Sequence, residues 1–221
     1  MAISISNTTY ENLYIGQGYI KDIFINQSKA VLSLVIGETK KDKVYPQISF
    51  YEKELIRKIE KMKKGDAVYV EAVIFNYRQD IDRQKPKYIT ILKGLKLEEA
   101  DSILMSRLGI TGNRIESANQ YVISGKIISA LSVTDNLLSI IVESYYDNYW
   151  RNSINKTYTT VYFFHKNAKK LQESIHPGDF LSGAGYVKTL VKRINDKRKV
   201  LTDVTLSEMQ LSRKKIQEIN Y

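Results

Sequence analysis

The sequence has no cysteine. That excludes disulfides, thiolate metal sites and a cysteine nucleophile. Histidine is nearly as scarce: His165 and His176 are the only two. His165 opens a predicted helix and His176 precedes its stop, so both read as surface residues rather than catalytic ones. No carboxylate pair, phosphate-binding loop or metal-ligand spacing occurs, and the G-x-G at 16–18 is too short for a nucleotide loop. A nuclease would need clustered acids, and none are seen. The residues argue against an enzyme and call for no cofactor and no metal. No apolar run reaches the roughly 18 residues of a membrane-spanning helix. The opening MAISISNTTYENLY lacks the charged-then-apolar pattern of a signal peptide. A cytoplasmic location with no membrane association is the expectation.

Positive charge is abundant. Thirty-four Lys and Arg against 24 Asp and Glu leave a net charge of +10, with a pI near 9.4. The simplest partner for such a chain is a polyanion such as nucleic acid. The other reading is a generally basic soluble protein. Hydrophobic residues make up 43% of the chain, enough to bury a core.

The chain repeats itself. VYPQISFYEKELIRKIEKMKKGDAVYVEAVI (44–74) aligns without a gap on TYTTVYFFHKNAKKLQESIHPGDFLSGAGYV (157–187), at an offset of 113. The matches include Tyr45/Tyr158, Phe50/Phe163, Gly65/Gly178 and Asp66/Asp179. Upstream, 18–36 parallels 125–142; downstream, 87–97 parallels 199–209. Two copies of one module of ordinary single-domain size are implied.

Each copy predicts the same order. Strands fall near 18–25, 29–37 and 44–51, with counterparts near 121–131, 136–145 and 157–164. A short helix follows, with Leu55, Ile59 and Met62 at helical spacing. It stops at Gly65, or at Pro177-Gly178 in the second copy. Two more strands follow at 67–77 and 87–97, then 180–192 and 199–206. The order β-β-β-α-β-β predicts an all-β chain with one short helix per module, namely tandem OB-folds, five-stranded Greek-key barrels. The expected division is a first OB-fold at 1–97, a linker with a short helix at 98–119 and a second OB-fold at 120–206. A tail follows at 207–221, with helical spacing of Leu211, Ile216 and Ile219.

The third strand carries aromatics on the face opposite its core face. In the first copy Val44, Ile48 and Phe50 face in, while Tyr45 and Tyr51 bracket a polar outer face. In the second, Val161 and Phe163 face in, while Tyr158, Tyr162 and Phe164 face out. An uncovered ring leaves apolar surface in water. Bases are flat and stack on such rings for roughly 1–3 kcal/mol each, with little regard to base identity. Rings six residues apart lie roughly 20 Å apart along a strand, enough to hold different nucleotides. A loop, the helix or a second subunit could cover a single ring instead. The recurrence at matched positions favours bases.

Other candidates extend the groove. YYDNYWR (145–151) lies between strands two and three of the second copy. Tyr145, Tyr146, Tyr149 and Trp150 there either stack on bases or seal a dimer interface. Tyr77 and Arg78 end strand four of the first copy. The hairpin VKTLVKRINDKRK (187–199) carries Lys188, Lys192 and Arg193 among its cations. Such a hairpin either contacts phosphates or is simply solvated.

KKGDAVYVEAVI (63–74) resembles the bacterial single-stranded DNA-binding proteins, where a lysine-glycine turn leads into a V-Y-V-E-G strand; Ala72 replaces that glycine. The resemblance covers about 18–97 well and 121–206 faintly. It implies base stacking on two positions of strand three, here Tyr45 and Tyr51, and through the repeat Tyr158 and Phe164. It also implies a chain of the type with two OB-folds that forms homodimers. Members usually end in an acidic tip that recruits replication and repair enzymes, whereas this chain ends KKIQEINY. A phage- or plasmid-encoded relative would fit this description.

The leading expectation is a non-catalytic, sequence-tolerant binder that protects single-stranded DNA in replication, recombination or transfer. The competing one is an OB-fold structural or recruitment protein for a replication, recombination or conjugation partner, or an RNA binder.

Overall fold

The computed structural model describes residues 3–5, 8–37, 39, 42–79, 87–100, 117–148, 150–194 and 197–213. The first half runs β1 (Ile3–Ile5), β2 (Thr8–Ile25), β3 (Ala30–Val35), β4 (Gln47–Phe50), α1 (Lys53–Ile59), β5 (Ala67–Gln79) and β6 (Lys87–Glu99). The second runs β7 (Ala118–Thr134), β8 (Leu137–Asn148), β9 (Ser153–Phe164), α2 (Ala168–Ser174), β10 (Phe180–Ile194) and β11 (Lys197–Ser212). In the first half the pairing goes β2-β3-β4-β6-β5 and closes back onto β2. In the second it goes β7-β8-β9-β11-β10 and closes onto β7. One pair in each ring is parallel, β4 with β6 and β9 with β11. These are two OB-fold barrels, as the order of elements predicts.

Period-two patterning builds the walls. Ala30, Leu32 and Leu34 on β3 and Leu138, Ile140 and Val142 on β8 point inward and are buried. Each of these leucine, isoleucine and valine side chains contributes about 1.5–3 kcal/mol on burial. Leu55, Ile59 and Met62 cap the first barrel from α1 and the turn beyond it. The helix then stops at a turn built on Gly65, with φ +89°, and Gly178 repeats it at φ +98°. Both values favour glycine, the residue without a Cβ. Around each turn the same bonds recur: Gly65 N–H donates to Ile20 O and Gly178 N–H to Ile127 O, both at 2.8 Å.

Strand one departs from expectation. The sequence pattern starts it near 18 and 121, yet β2 begins at Thr8 and β7 at Ala118. In β2 the additional residues include Tyr10, Leu13, Tyr14 and Ile15 among polar ones; residues 8–10 pair with β1, and beyond them two further partners take over. β2 pairs with β5 on one edge and with β7 on the other. The β2–β7 ladder joins the barrels and sets Tyr14 opposite Tyr121, both fully buried. These are the same repeat position, 107 residues apart, so a pseudo-two-fold axis passes through that rung.

Where each strand one leaves strand four, an asparagine supplies the next rung. Asn12 Nδ2 donates to Ile74 O at 2.7 Å, and its Oδ1 accepts from Ile74 N–H at 3.1 Å. Asn119 does the same with Val187, at 2.8 and 3.1 Å. The repeat therefore begins earlier than the sequence reading placed it, as Asn-x-Tyr-Ile/Val-x-x-Gly at 12–18 and 119–125. The bulges repeat as well, at Ile20/Asp22 and Ile127/Ser129 on strand one, and at Glu71/Ala72 and Ala184/Gly185 on strand four.

Two other expectations change. Strand three of the first barrel is short, since Pro46 has no N–H to donate; before it Val44 bridges to Ile36, and Pro46 O still accepts from Leu34 N–H at 3.0 Å. Residues 207–212 were expected in a helical tail. They are strand, because β10 offers each a ladder partner, as in the Leu181/Leu211 rung. Residues 214–221, and the connector helix expected within 98–119 except at its strand ends, lie outside the described residues.

Candidate nucleic-acid interface

Strand three in both barrels has the two faces its sequence implies. Ile48 and Phe50, like Val161, are fully buried, and Phe163 is partly so. On the opposite face Tyr51 is 38% exposed, Tyr158 43% and Phe164 58%. Tyr45 and Tyr162 are half-buried. Phe164 has no hydroxyl to hydrogen-bond water, so its exposure is the costliest of the set.

Cations stand over several of these rings. Lys21 Nζ lies 4.3 Å from the Tyr45 ring centre. Lys188 Nζ lies 5.4 Å from both Phe164 and Tyr186. Each such contact contributes about 0.5–1 kcal/mol at an exposed site and keeps a positive charge beside a stackable face. Leu137, Tyr162, Phe164, Lys188, Asp203 and Thr205 line an open depression of about 280 Å³. Burial, then the charge of Asp203, raises the Tyr162 hydroxyl pKa. A hydrogen bond with Glu143 raises that of Tyr158. Both phenols stay neutral near pH 7, so neither adds charge that would repel a phosphate.

The second-barrel arm resolves differently from its neighbours. Trp150 sits beyond β8, and its Nε1–H donates to Leu95 O of the first barrel at 2.9 Å. Tyr146 is buried with Val73 and Leu95. Tyr145 meets Tyr10 edge-on at 4.8 Å. Arg151 Nε lies 3.7 Å from Glu52 Oε1, next to Tyr51. The arm therefore seals a contact between the two barrels of one chain, and Trp150 is taken up in that seam. Tyr149 lies outside the described residues.

Tyr77 is 54% exposed on β5. Arg78 follows it, in register with Tyr88, and its side chain lies outside the described ones. Lys192 and Arg193 lie on β10 in register with Lys199 and Arg198, two successive rungs of cationic residue types, again with side chains outside the described ones. His165 Nδ1 accepts from Asn167 N–H at 3.2 Å, and His176 lies 3.7 Å from Asp179, in the turn rather than on the aromatic face.

Sequence reading missed Lys21, Tyr186, Asn76 and Thr189. Asn76 donates to the Thr160 hydroxyl, and Thr189 Oγ1 accepts from Tyr45 N–H at 2.8 Å. The repeat aligns Lys21 with Ile128, so self-comparison could not have found it. Asn76 and Thr189 do occupy matched positions, 113 apart. That was the available signal for the pair.

End to end, the architecture matches solved structures. A deletion mutant of the single-stranded DNA-binding protein from Thermus aquaticus superposes with a TM-score of 0.59 at 12% identity, covering 96% of this chain and 98% of that one. The wild-type protein gives 0.58 at 12% identity, over 93% and 94%. The chain shares its fold with a single-stranded DNA-binding protein. No protein-family model and no curated protein sequence matches it. Among the described residues, no helix is long and apolar enough to cross a membrane.

Proposed function

We propose that this chain binds single-stranded DNA without catalysis and with little sequence preference. Bases stack on Tyr45, Tyr51, Tyr158 and Phe164, and Lys188 with the cationic β10–β11 hairpin neutralises phosphates. One observation carries the reading: matched positions of two barrels hold solvent-facing rings on strands whose other faces are core. Lysines over Tyr45 and Phe164 support it, since a stacked base brings a phosphate near the same cation. The Thermus aquaticus likeness supports it at the level of fold. Protection of single strands in the cytoplasm during replication, recombination or transfer follows from such binding. With Trp150 in the seam between barrels, the arm supplies no argument for a recruitment role.

The test is a titration of labelled dT, rU and duplex oligomers at two salt concentrations. Binding should favour single strands and weaken steeply with salt. Each ring changed to alanine should weaken binding roughly 5- to 150-fold, the equivalent of about 1–3 kcal/mol per stacked base. Equal affinity for duplex and single strand refutes the proposal. A clear preference for rU moves it to RNA.

A further inference from the structure

The outer face of the first barrel carries rings on two strands. On β2 the ladder to β3 skips Lys21, a bulge residue between Ile20 and Asp22. Tyr19 and Phe24 are five apart, and strict alternation would turn them to opposite sides. The extra residue brings them to the same side. Both rings are exposed, Phe24 by 58%, as much as Phe164, while Ile20 between them is buried and Ile23 packs on the core. Register puts that side on the face of Tyr45 and Tyr51. Phe24 pairs with Val31, and Val31 with Ser49; Asp22 pairs with Ser33, and Ser33 with Gln47. Directly paired residues of antiparallel strands share a face, and here Gln47 Nε2 donates to Ser33 Oγ at 3.4 Å. Tyr19 pairs with Val35, which lies between the Ser33/Gln47 rung and the Ile36/Val44 bridge and so comes opposite Tyr45. Lys21 reaches across β3 itself, with its Nζ 4.3 Å from the Tyr45 ring centre. Two strand spacings put β2 roughly 10 Å from β4.

We infer that Tyr19 and Phe24 stack bases opposite Tyr45 and Tyr51, so that single-stranded DNA crosses the first barrel between two rows of rings. The floor between the rows is Val31, Ser33 and Val35 on β3, whose short side chains leave room for flat bases. Lys21 holds a cation between the rows for a phosphate. The turn from β2 to β3 borders the face on which OB-folds bind oligonucleotides. The second barrel differs. The repeat places Lys126 and Leu131 at the positions of Tyr19 and Phe24, and Leu131 pairs with Ser139, which pairs with Tyr162. Strand one of the second face thus offers a cation and an apolar side chain in place of the two rings. This inference rests on the proposed function.

The full chain carrying Y158A/F164A leaves the first face to be measured. Affinity for a short dT oligomer is read by anisotropy over a series of salt concentrations, with circular dichroism confirming the fold. Adding Tyr19→Ala or Phe24→Ala should each weaken binding at least about fivefold. The slope of log affinity against log salt should stay the same, since a stacked ring neutralises no phosphate. Phe24→Trp, which keeps a flat ring, should retain binding. Phe24→Leu, which keeps an apolar group without a ring, should lose about as much as alanine. Full affinity in either alanine variant, a shallower salt slope, full affinity with leucine, or a loss with tryptophan as large as with alanine overturns the inference while leaving single-strand binding intact. A Y158A/F164A chain that no longer binds dT overturns it as well. An unmutated chain that binds no oligomer overturns the proposed function, and the inference with it.

Discussion

Asn12→Ala removes a carboxamide that is 3% exposed and sits where both barrels meet. Its Oδ1 accepts from Ile74 N–H and from the Tyr121 hydroxyl, both at 3.1 Å. Its Nδ2 donates to Ile74 O at 2.7 Å and to Thr157 Oγ1 at 3.0 Å. Without it Ile74 O still accepts from Thr159 at 2.6 Å, but Ile74 N–H and the Tyr121 hydroxyl lose that acceptor in a dry site. Each stranded group costs about 1–3 kcal/mol, so the variant should lose about 2–6 kcal/mol. That is a large fraction of the roughly 5–15 kcal/mol typical of a folded protein. Asn119 forms the equivalent rung, but it is half-buried and bonds Val187 alone among the described residues. Water can replace part of it, so Asn119→Ala should cost about 1–2 kcal/mol. Urea unfolding followed by Trp150 fluorescence and far-ultraviolet circular dichroism measures both. A cost for Asn119→Ala equal to or above that for Asn12→Ala refutes the assignment of Asn12 as the polar hub of the joined barrels.

The paired tyrosines should respond oppositely to phenylalanine. The Tyr14 hydroxyl is buried with no hydrogen-bond partner among the described residues, so Tyr14→Phe should be neutral or stabilising in thermal melts, whereas Tyr121→Phe should cost about 1–2 kcal/mol through the lost bond to Asn12. Burial raises the pKa of both phenols in the folded state, so the stability they carry is whole below the unfolded pKa of about 10 and falls as pH climbs past it; Tyr14→Phe should flatten the alkaline loss. A Cβ at Gly65 meets nothing within 4 Å and one at Gly178 only Lys126 Cε at 3.8 Å, an ordinary contact, so Gly65→Ala and Gly178→Ala should each cost only the backbone strain of a positive φ, about 1–2 kcal/mol by urea unfolding. Lys188→Gln should make the slope of log affinity against log salt shallower by about 0.7, the increment for one phosphate contact on a single strand.

Much of this molecule was legible in the residue order. Period-two alternation at 30–35 and 137–148 marked the walls, and helical spacing of Leu55, Ile59 and Met62 marked the cap. Gly65 and Gly178 punctuated both turns, and the 113-residue offset declared the duplication. Exposure of Tyr51, Tyr158 and Phe164 followed from the same alternation, because neighbours on a strand must face opposite sides. Apart from the duplication, which self-comparison of the chain reveals, these features depend on residues within a few positions of one another, which a linear pattern records. Tertiary structure alone decided the rest. The length of strand one, the extension of β11 through Ser212, the use of Trp150 as a seal and the approach of Lys21 to Tyr45 each depend on a partner far away in sequence. The stretch 8–17 becomes strand where β1, β5 and β7 offer their edges. Nothing in its own side chains announces that, because ladder hydrogen bonds are made by the backbone, which is the same at every residue except proline.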